Sequence, residues 1–180
     1  MTTLSVYDPG LDMLSDGAVL PVMPEWSGEP VGSKRDRRTP WLERARLALH
    51  PEPMWRSGGH RPDWLDDAVL RLARLLELEP DWDSYGARAV SIAAADTALV
   101  LLLGLAGPET PAPHIVPTPA GGVQIEWHTP RLDLEVEIRS PTRVFVGYEF
   151  SDTGEEGEFP VTSDFRHLAD LVSGLTDERR

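Results

Sequence analysis

Cysteine is absent from this sequence of 180 residues. Its absence excludes disulfide bonds, zinc sites built on thiolates and catalytic cysteine nucleophiles. It also agrees with a cytoplasmic location, which is the location that we predict. Lysine is nearly absent, because Lys34 is the only one and every other basic side chain is an arginine. This preference for arginine is typical of a bacterial protein from a GC-rich genome.

Long apolar runs are missing as well. The first residues have neither the basic start nor the uninterrupted apolar core of a signal peptide. The most apolar stretch, residues 91–107, is interrupted by Asp96 and Thr97. It is also shorter than the roughly 20 apolar residues that a helix needs to span a bilayer. We therefore predict a buried helix in this stretch and no membrane partner.

The short motifs of common catalytic sites are not found in the sequence. It contains no GxSxG nucleophile elbow, no GxxxxGK[ST] phosphate loop, no HExxH zinc motif and no GxGxxG after a strand. The five histidines are scattered along the chain rather than spaced as metal ligands. The sequence therefore favours a protein that is not an enzyme and that needs no cofactor.

Basic residues are scarce in the C-terminal two thirds of the chain. Residues 1–60 carry 8 acidic and 7 basic side chains, whereas residues 61–180 carry 22 and 10. Such an acidic surface increases solubility, repels nucleic acid and attracts basic proteins or cations. The exception is one basic cluster, which consists of Lys34, Arg35, Arg37 and Arg38. We expect no binding of nucleic acid except through these four residues.

The sequence divides into three parts. Residues 1–38 contain four prolines and no sustained periodicity, which indicates an extended or partly disordered segment. Residues 39–60 form a short helix and a linker, with Thr39 as the N-cap and an end before Pro51. Residues 61–180 form the folded domain.

The N-terminal segment contains too many apolar side chains for an inert linker. Leu20, Met23 and Trp26 lie among several others in a stretch that has no helical or strand period. Segments of this kind dock on a partner protein or along their own domain. We therefore count these three residues among the predicted partner-binding residues.

Three helices are predicted within the domain. The first is capped by Asp63, repeats apolar residues on one face and ends before Pro80. The second follows Ser91 as its cap and is apolar nearly all round over residues 98–105, so it should be buried against a sheet. The last is amphipathic and has Ser163 as its cap.

Between the last two helices the period of the pattern changes to that of β-strands. Apolar and polar residues alternate over residues 123–128, 132–139 and 144–150, and the breaks "TPR" and "SPT" separate these runs. The segment "GEFPVTS" adds an edge strand, because a proline such as Pro160 is tolerated only at an edge. We predict an α+β fold, an antiparallel β-meander of about four strands with helices packed on one face.

The opening of this sheet, "PTPAGGVQIEWH", combines two prolines with a pair of glycines. Prolines remove backbone donors and suit the entrance of a strand. Gly121 and Gly122 permit a turn or bulge that sets the strand register. That register turns Val123, Ile125 and Trp127 inward and leaves the alternate residues on the other face.

The polar face of the predicted sheet carries the strongest candidate site. Side chains of Glu126 and His128 on one strand should lie opposite or diagonal to Asp133, Glu135 and Glu137 on the next, about 4.5–8 Å apart at Cβ. Directly opposed carboxylates destabilise a sheet, so this cluster needs a compensating charge.

Three interpretations of the cluster remain open. The cluster is a solvated outer face in which nearby arginines reduce the repulsion between carboxylates, a surface for a basic partner, or a site for a divalent cation. The arginines concerned are Arg131, Arg139 and Arg143. The cation ligands would be Glu126, His128, Glu135 and Glu137.

A second candidate is the stretch "PDWDSYGARAVS", between two predicted helices. A structural role predicts that Trp82 and Tyr85 pack this loop onto the domain. Asp83 or Ser84 then accepts backbone hydrogen bonds, and Gly86 takes a positive φ. The functional alternative is a polar pocket formed by Asp81, Asp83, Ser84 and Tyr85.

Two of these motifs occur together in a known pattern. "DWDSYGA", followed by "PTPAGGVQIEWH" and the acidic strand "LDLEVEI", resembles a family of small bacterial proteins with a WDSYGA motif and a PTPxGGVQIEW strand motif. The resemblance covers roughly residues 80–138. It implies a genuine domain unit and transfers no activity, cofactor or catalytic residue.

The sequence thus predicts a protein-interaction protein in the manner of an accessory subunit, antitoxin or immunity protein. It would bind its partner through the acidic sheet face, the apolar N-terminal segment or both. The predicted contact residues are Glu126, His128, Asp133, Glu135, Glu137, Trp26, Met23 and Leu20. The alternative is a metal-dependent enzyme that uses the carboxylate and histidine cluster of the same face.

Overall fold

Alternating apolar and polar residues build the sheet that organises this fold. The computed structural model describes residues 36–49, 61–162 and 164–176. These residues form four helices and five strands. The helices are α1 (Arg38–Ala48), α2 (Leu65–Leu75), α3 (Ile92–Leu105) and α4 (Arg166–Gly174). The strands are β1 (His114–Pro117), β2 (Val123–His128), β3 (Leu132–Ser140), β4 (Arg143–Phe150) and β5 (Glu156–Val161).

The five strands form one sheet in the order β1-β2-β3-β4-β5, and all neighbours are antiparallel. This architecture confirms the α+β prediction, but the count of about four strands is one too low. The missed strand is β1, which has only four residues and ends at Pro117. A strand this short offers too little alternation to be recognised. Pro160 lies in the edge strand β5, as expected.

One face of the sheet is buried beneath helices. Helix α3 contacts β2 and β3, and α2 contacts β1. The strand residues on this face are almost fully buried, among them Val123, Ile125, Trp127, Leu134, Val136, Ile138, Val144 and Val146. The opposite face, which carries the acidic side chains, lies open in the part of the chain that the structure describes.

The helix caps follow the prediction only in part. Ser91 caps α3, because its Oγ accepts a hydrogen bond from the Ala94 backbone N–H at 3.0 Å. Thr39 is not the cap of α1, since it lies inside that helix. Instead, the carboxylate of Asp36 accepts hydrogen bonds from the backbone N–H groups of Arg38 and Thr39, at 3.1 and 3.0 Å. A helix terminus takes whichever acceptor the chain places near its first N–H groups.

Two further cap predictions have different outcomes. Asp63 does not cap α2, which begins after Trp64 without any side-chain cap. The predicted apolar face of α2 is nevertheless buried, so packing determines this helix more than its cap does. Ser163 lies outside the described residues, and α4 begins after Phe165.

Helix α1 packs into the same core as the domain that follows it. Trp41 is 1% exposed and its Nε1 donates to Asp96 Oδ1 of α3 at 2.7 Å. Arg44 Nη2 donates to both oxygens of the same carboxylate, at 2.8 and 2.9 Å. The charge in the middle of the apolar helix α3 therefore has two partners, and both come from α1.

The glycine pair before β2 forms a turn, as the sequence predicted. Thr118 closes a turn, with its carbonyl accepting from Gly121 N–H at 2.9 Å and its Oγ1 accepting from Gly122 N–H at 3.0 Å. Gly121 has a φ of 85°. A Cβ on Gly122 would lie 2.4 Å from the carbonyl oxygen of Ile138, so the close approach of β3 requires glycine here.

Candidate functional site: the open acidic face of the sheet

The strand register arranges the open face in rows that run across the sheet. Residues paired across antiparallel strands project from the same face, so each row brings its side chains side by side. The first row is His128, Asp133, Glu149 and Glu156. The second row is His114, Glu126, Glu135, Gly147 and Glu158. The third row is Val116, Gln124, Glu137, Phe145 and Pro160.

His128 stands between two carboxylates. Its Nδ1 lies 3.0 Å from Asp133 Oδ1 on β3, and its Nε2 lies 3.4 Å from Glu126 Oε2 on its own strand. The hydrogen bond with Asp133, followed by the one with Glu126, raises the pKa of His128 above its ordinary value. Both ring nitrogens donate when the ring is protonated, so the imidazolium form fits this position.

Gln124 holds together two carboxylates that the register places opposite each other. Glu126 and Glu135 are direct partners across β2 and β3. The amide nitrogen of Gln124 donates to Glu126 Oε1 at 3.0 Å and to Glu135 Oε2 at 3.2 Å. The sequence reasoning did not include Gln124 in the site. The available signal was its position two residues before Glu126, which places it on the same face of the strand.

Glu137 does not join the predicted cluster. Arg139 holds it through two hydrogen bonds, from Nε at 2.9 Å and from Nη2 at 2.7 Å. This pairing raises the pKa of Arg139. The guanidinium group of Arg139 also lies 4.8 Å from the centre of the Phe145 ring. The third row is thus neutralised and partly apolar, whereas the first two rows keep their negative charge.

The structure brings three of the four predicted cation ligands together and separates the fourth. Glu126 bonds to His128 and shares the amide of Gln124 with Glu135, whereas Glu137 bonds to Arg139. Within the described ranges, no group of three or more histidine, aspartate or glutamate side chains has the arrangement of a metal site.

A carboxylate-lined groove crosses the first two rows. It has a volume of about 520 Å³ and is lined by His128, Asp133, Glu135, Gly147, Tyr148, Glu149, Glu156, Gly157 and Glu158. We call this concavity the acidic groove. Gly147 leaves a gap in the second row, because a Cβ there would come no nearer to another group than 4.0 Å from Glu158 Cγ.

Three carboxylates of the acidic groove were not among the predicted site residues. Glu149, Glu156 and Glu158 are exposed, and none of them forms an ion pair with another described residue. The signal that could have found them is the period of two in β4 and β5, which continues the acidic face to the edge of the sheet.

The loop over residues 80–90 does not form the alternative polar pocket. Asp83 Oδ1 accepts hydrogen bonds from the backbone of Tyr85 at 2.8 Å and of Ala87 at 3.0 Å, and the first of these bonds chiefly lowers the pKa of Asp83. Asp81 Oδ1 accepts from the Gly86 N–H at 2.8 Å. Both carboxylates thus stabilise the turn itself.

The structure confirms the predicted backbone features of this loop, since Asp83 accepts backbone hydrogen bonds and Gly86 has the expected positive φ of 89°. Trp82 is half-buried, and its Nε1 donates to the carbonyl of Arg88 within the same loop at 3.1 Å. Tyr85 does not pack onto the domain, since it is 94% exposed. The hydrogen bonds to Asp83 hold its backbone, so the loop does not need the ring for its own stability.

The basic cluster is partly engaged within the fold. Arg37 Nη2 donates to the carbonyl of Val90 at 2.5 Å, and burial lowers the pKa of Arg37. Arg38 Nη1 bonds to Glu77 Oε1 at 3.0 Å. Lys34 and Arg35 lie outside the described residues, as do the predicted contact residues Leu20, Met23 and Trp26.

Comparisons with other proteins do not assign the site. The chain matches no known protein family, no curated protein and no solved structure. Within the part of the chain that the structure describes, no helix is long and apolar enough to cross a membrane. The chemistry of the site has to be inferred from its own residues.

Proposed function

We propose that this protein is a non-enzymatic binding protein and that its acidic groove holds a basic segment of a partner protein. The observation that carries the proposal is the row structure of the open face. The carboxylates of Asp133, Glu135, Glu149, Glu156 and Glu158 converge on one groove. This role corresponds to that of an accessory subunit, an antitoxin or an immunity protein.

The dimensions of the groove support a basic side chain as its occupant. Glu135 and Glu158 are separated by the strand that carries Gly147. Two strand spacings of about 4.8 Å separate their backbones by about 10 Å. An arginine or lysine side chain fits over Gly147 in this space and reaches a carboxylate on either side. Arginine fits better, because its planar guanidinium group binds carboxylates through two parallel hydrogen bonds.

Charge supports the same kind of partner. The net charge of the chain is −13, and the acidic groove concentrates part of it on one surface. A negative field of this kind increases the association rate with a basic protein, and salt weakens the effect. The third row adds an apolar margin through Phe145 and Pro160, next to the charged rows.

The experiment compares two variants that lose the same number of carboxylates. The groove variant is Glu135→Gln/Glu149→Gln/Glu158→Gln. The control variant is Asp63→Asn/Asp67→Asn/Asp170→Asn, at exposed positions on the helical side. Tagged full-length chains are used to purify complexes from the native host at low salt. The retained protein is then purified and its Kd for each chain is measured by calorimetry.

We expect a basic protein that binds the natural chain and the control variant with similar Kd. The groove variant should bind it at least about tenfold more weakly, and salt should weaken the natural complex. Equal binding by both variants, or a chain that is recovered alone at low salt, would contradict the proposal. An increase in thermal stability with Mg²⁺ or Mn²⁺ that the groove variant loses would instead favour the metal-dependent alternative.

A further inference from the structure

The two edges of the sheet differ in how their outward backbone groups are occupied. At one edge, the Ile115 carbonyl of β1 accepts a hydrogen bond from Arg71 Nε of α2 at 2.9 Å. Pro117, at the end of the same strand, has no N–H to donate. Helix α2 also packs against β1, so this edge is closed to a further strand. The other edge is formed by β5.

Strand β5 turns the backbone of Glu156 and Glu158 away from the sheet. The Phe150 N–H donates to the Glu155 carbonyl at 2.8 Å, so these two residues form a hydrogen-bonded pair. Hydrogen-bonded and non-bonded pairs alternate along antiparallel strands. Gly157 is therefore bonded to β4, whereas Glu156 and Glu158 point their N–H and C=O groups outward.

This edge is accessible in the part of the chain that the structure describes. Glu156, Glu158 and Pro160 are exposed, and no described residue bonds to their outward backbone groups. Pro160 offers only its carbonyl, because proline has no N–H. An edge with free donors and acceptors is a template for a further strand. Such a strand would pair best with the half of β5 that precedes Pro160.

The open face beside this edge favours positive charge in a further strand. Glu156 and Glu158 line the acidic groove, and neither forms an ion pair with another described residue. Residues of an added strand that lie opposite them would project from the same face, with Cβ atoms about 4.5–5.5 Å away. Basic side chains at those two positions would neutralise the edge of the groove.

The helical side of the same edge is aromatic. A Cβ on Gly157 would lie 2.8 Å from Cε1 and from Oη of Tyr148, so the tyrosine ring lies over Gly157 and requires glycine there. The Phe159 ring lies on the same side, with its centre 6.4 Å from that of Tyr148 and 4.6 Å from that of His167 in α4. We call Tyr148, Phe159 and His167 the aromatic shelf. A residue of an added strand opposite Gly157 would pack against this shelf.

We propose that β5 accepts a sixth strand from a different protein, and that in this strand two basic residues flank an apolar one. The basic residues face Glu156 and Glu158, and the apolar residue faces Gly157 and the aromatic shelf. In this mode of recognition, backbone hydrogen bonds provide affinity and alternate side chains provide specificity. The inference rests on the proposed function, because it specifies how the basic segment of the partner binds at the acidic groove.

A second copy of this chain does not fit the edge. Strand β5 contains no basic residue, so pairing between two β5 strands supplies no positive charge. Symmetric antiparallel pairing would also continue the sheet with carboxylates of both copies on one face, and like charges opposite each other are destabilising. The same carboxylates that oppose self-association attract a basic strand, so they select between the two partners.

The undescribed stretches of the chain do not have the required alternation either. None of them contains two basic residues two positions apart. Lys34 and Arg35 are neighbours, as are Arg179 and Arg180, and neighbouring residues of a strand project to opposite faces. Residues 50–60 contain a single arginine. The sequence therefore favours an occupant from another protein.

The N-terminal segment also joins the domain away from β5. Arg37 Nη2 donates to the Val90 carbonyl, and the next residue, Ser91, bonds through its N–H to Gly121 in the turn before β2. Strands β3 and β4 separate β2 from β5. Residues 1–33, the part of the segment long enough to cross them, carry no basic side chain. This segment thus lacks the charge that the edge requires.

The experiment measures the binding of three synthetic peptides of equal charge to the full-length chain, by calorimetry at low salt. The first, acetyl-TRVRVRT-amide, alternates arginine with valine. The second, acetyl-TVRRRVT-amide, has the same composition without the alternation. The third has the sequence of the first, with N-methyl groups on the backbone nitrogens of its arginines and valines. It keeps the charge and loses the donors that a strand needs.

We expect the alternating peptide to bind at least about tenfold more tightly than either of the others. Hydrogen exchange followed by NMR locates the contact. The amides of Glu156 and Glu158 should exchange rapidly in the free chain, because they point outward, and the alternating peptide should slow them. The Gly157 amide bonds to β4 and should exchange slowly in both states, which provides an internal control.

A matched pair of variants isolates the backbone donor. Glu156→Pro removes the outward N–H together with the carboxylate, whereas Glu156→Gln removes the carboxylate alone. Proline is tolerated as the first residue of a strand, so the two variants should have similar thermal unfolding midpoints. Glu156→Pro should bind the alternating peptide at least about threefold more weakly than Glu156→Gln, as expected for the loss of one hydrogen bond.

Three results would overturn the inference. The first is equal binding of the alternating and N-methylated peptides, and the second is unchanged exchange at Glu156 and Glu158 when the peptide binds. The third is slow exchange of both amides in the free chain, which would mean that the chain itself or a second copy already covers the edge.

Failure of this inference differs from failure of the proposed function. A host protein that the groove variant loses, and that binds Glu156→Pro and Glu156→Gln equally, would overturn the added strand and support the acidic groove as the binding site. A host protein that binds the groove variant and the control variant Asp63→Asn/Asp67→Asn/Asp170→Asn equally would contradict the proposed function, and with it the inference.

Discussion

At the scale of single residues, protonation of His128 sets the charge at one end of the acidic groove. Asp133, and after it Glu126, raise the pKa of His128 in the folded protein. A raised pKa means that folding favours the protonated ring. The resulting stabilisation is fully present below the unfolded pKa of about 6.5. It is lost as the pH rises through the higher pKa of the folded state.

His128→Gln should therefore destabilise the protein in acid and not in alkali. Urea unfolding of both chains at about pH 5 and about pH 9 measures the difference. We expect a lower free energy of unfolding for the variant at the acidic pH and equal values at the alkaline pH. An NMR titration of the His128 ring provides the control. Asp133→Asn should lower the titration midpoint of His128, because it removes the carboxylate that contributes most to the raised pKa. A midpoint at or below about 6.5 in the natural chain would contradict the assignment.

At the scale of elements, the attachment of α1 depends on one carboxylate in α3. Asp96 accepts from Trp41 and Arg44, whose side chain is only 13% exposed. Removal of the carboxylate would take away the acceptor of Trp41 Nε1 and the charged partner of Arg44 Nη2, and the loss of charged hydrogen bonds in a mostly buried position is costly. The polar interruption of this apolar helix thus holds a neighbouring helix in place.

Asp96→Ala should lower the free energy of unfolding by about 2 kcal/mol. Asp152→Ala is the matched control, because it removes an exposed ion pair with Arg131 in which both side chains are about half exposed. Such a pair contributes less than about 1 kcal/mol. Urea unfolding, followed by tryptophan fluorescence, measures both. An equal decrease in the free energy of unfolding of the two variants would show that the contact between Asp96 and α1 contributes no more to stability than an exposed ion pair.

At the scale of the whole molecule, the acidic charge opposes folding. The register places Glu126 opposite Glu135, Asp133 opposite Glu149, and Glu149 opposite Glu156. Like charges directly opposite each other on a sheet are destabilising. The chain keeps these pairs together with a net charge of −13, so its stability should depend on how well the solvent screens them.

The thermal unfolding midpoint should rise when NaCl is increased from about 10 mM to about 150 mM. Over this range the Debye length falls from about 30 Å to about 8 Å, which weakens repulsion along the rows. The groove variant Glu135→Gln/Glu149→Gln/Glu158→Gln should show a smaller rise, because it carries fewer opposed charges. Differential scanning calorimetry measures both chains. A midpoint that falls over this range would mean that attractive ion pairs outweigh the repulsion.

The candidate site was only partly accessible to sequence reasoning. Alternation placed Glu126 and His128 on the same face as Asp133 and Glu135, because the side-chain period of a strand is two. It did not reveal that Gln124 bridges two carboxylates, or that Glu137 pairs with Arg139 instead of joining the cluster. Those choices depend on side-chain orientation, which a pattern of residue types does not contain.

The sequence by itself determined the α+β class, the buried face of α2 and the division of the sheet into an apolar and an acidic face. These features follow from local periodicity, which decides which side of an element avoids water. Only the tertiary structure decided that β4 and β5 complete the acidic groove, that Asp96 secures α1, and that Tyr85 stays exposed. Each of these depends on which distant segments meet, and contacts between distant segments are set by packing and register rather than by local pattern.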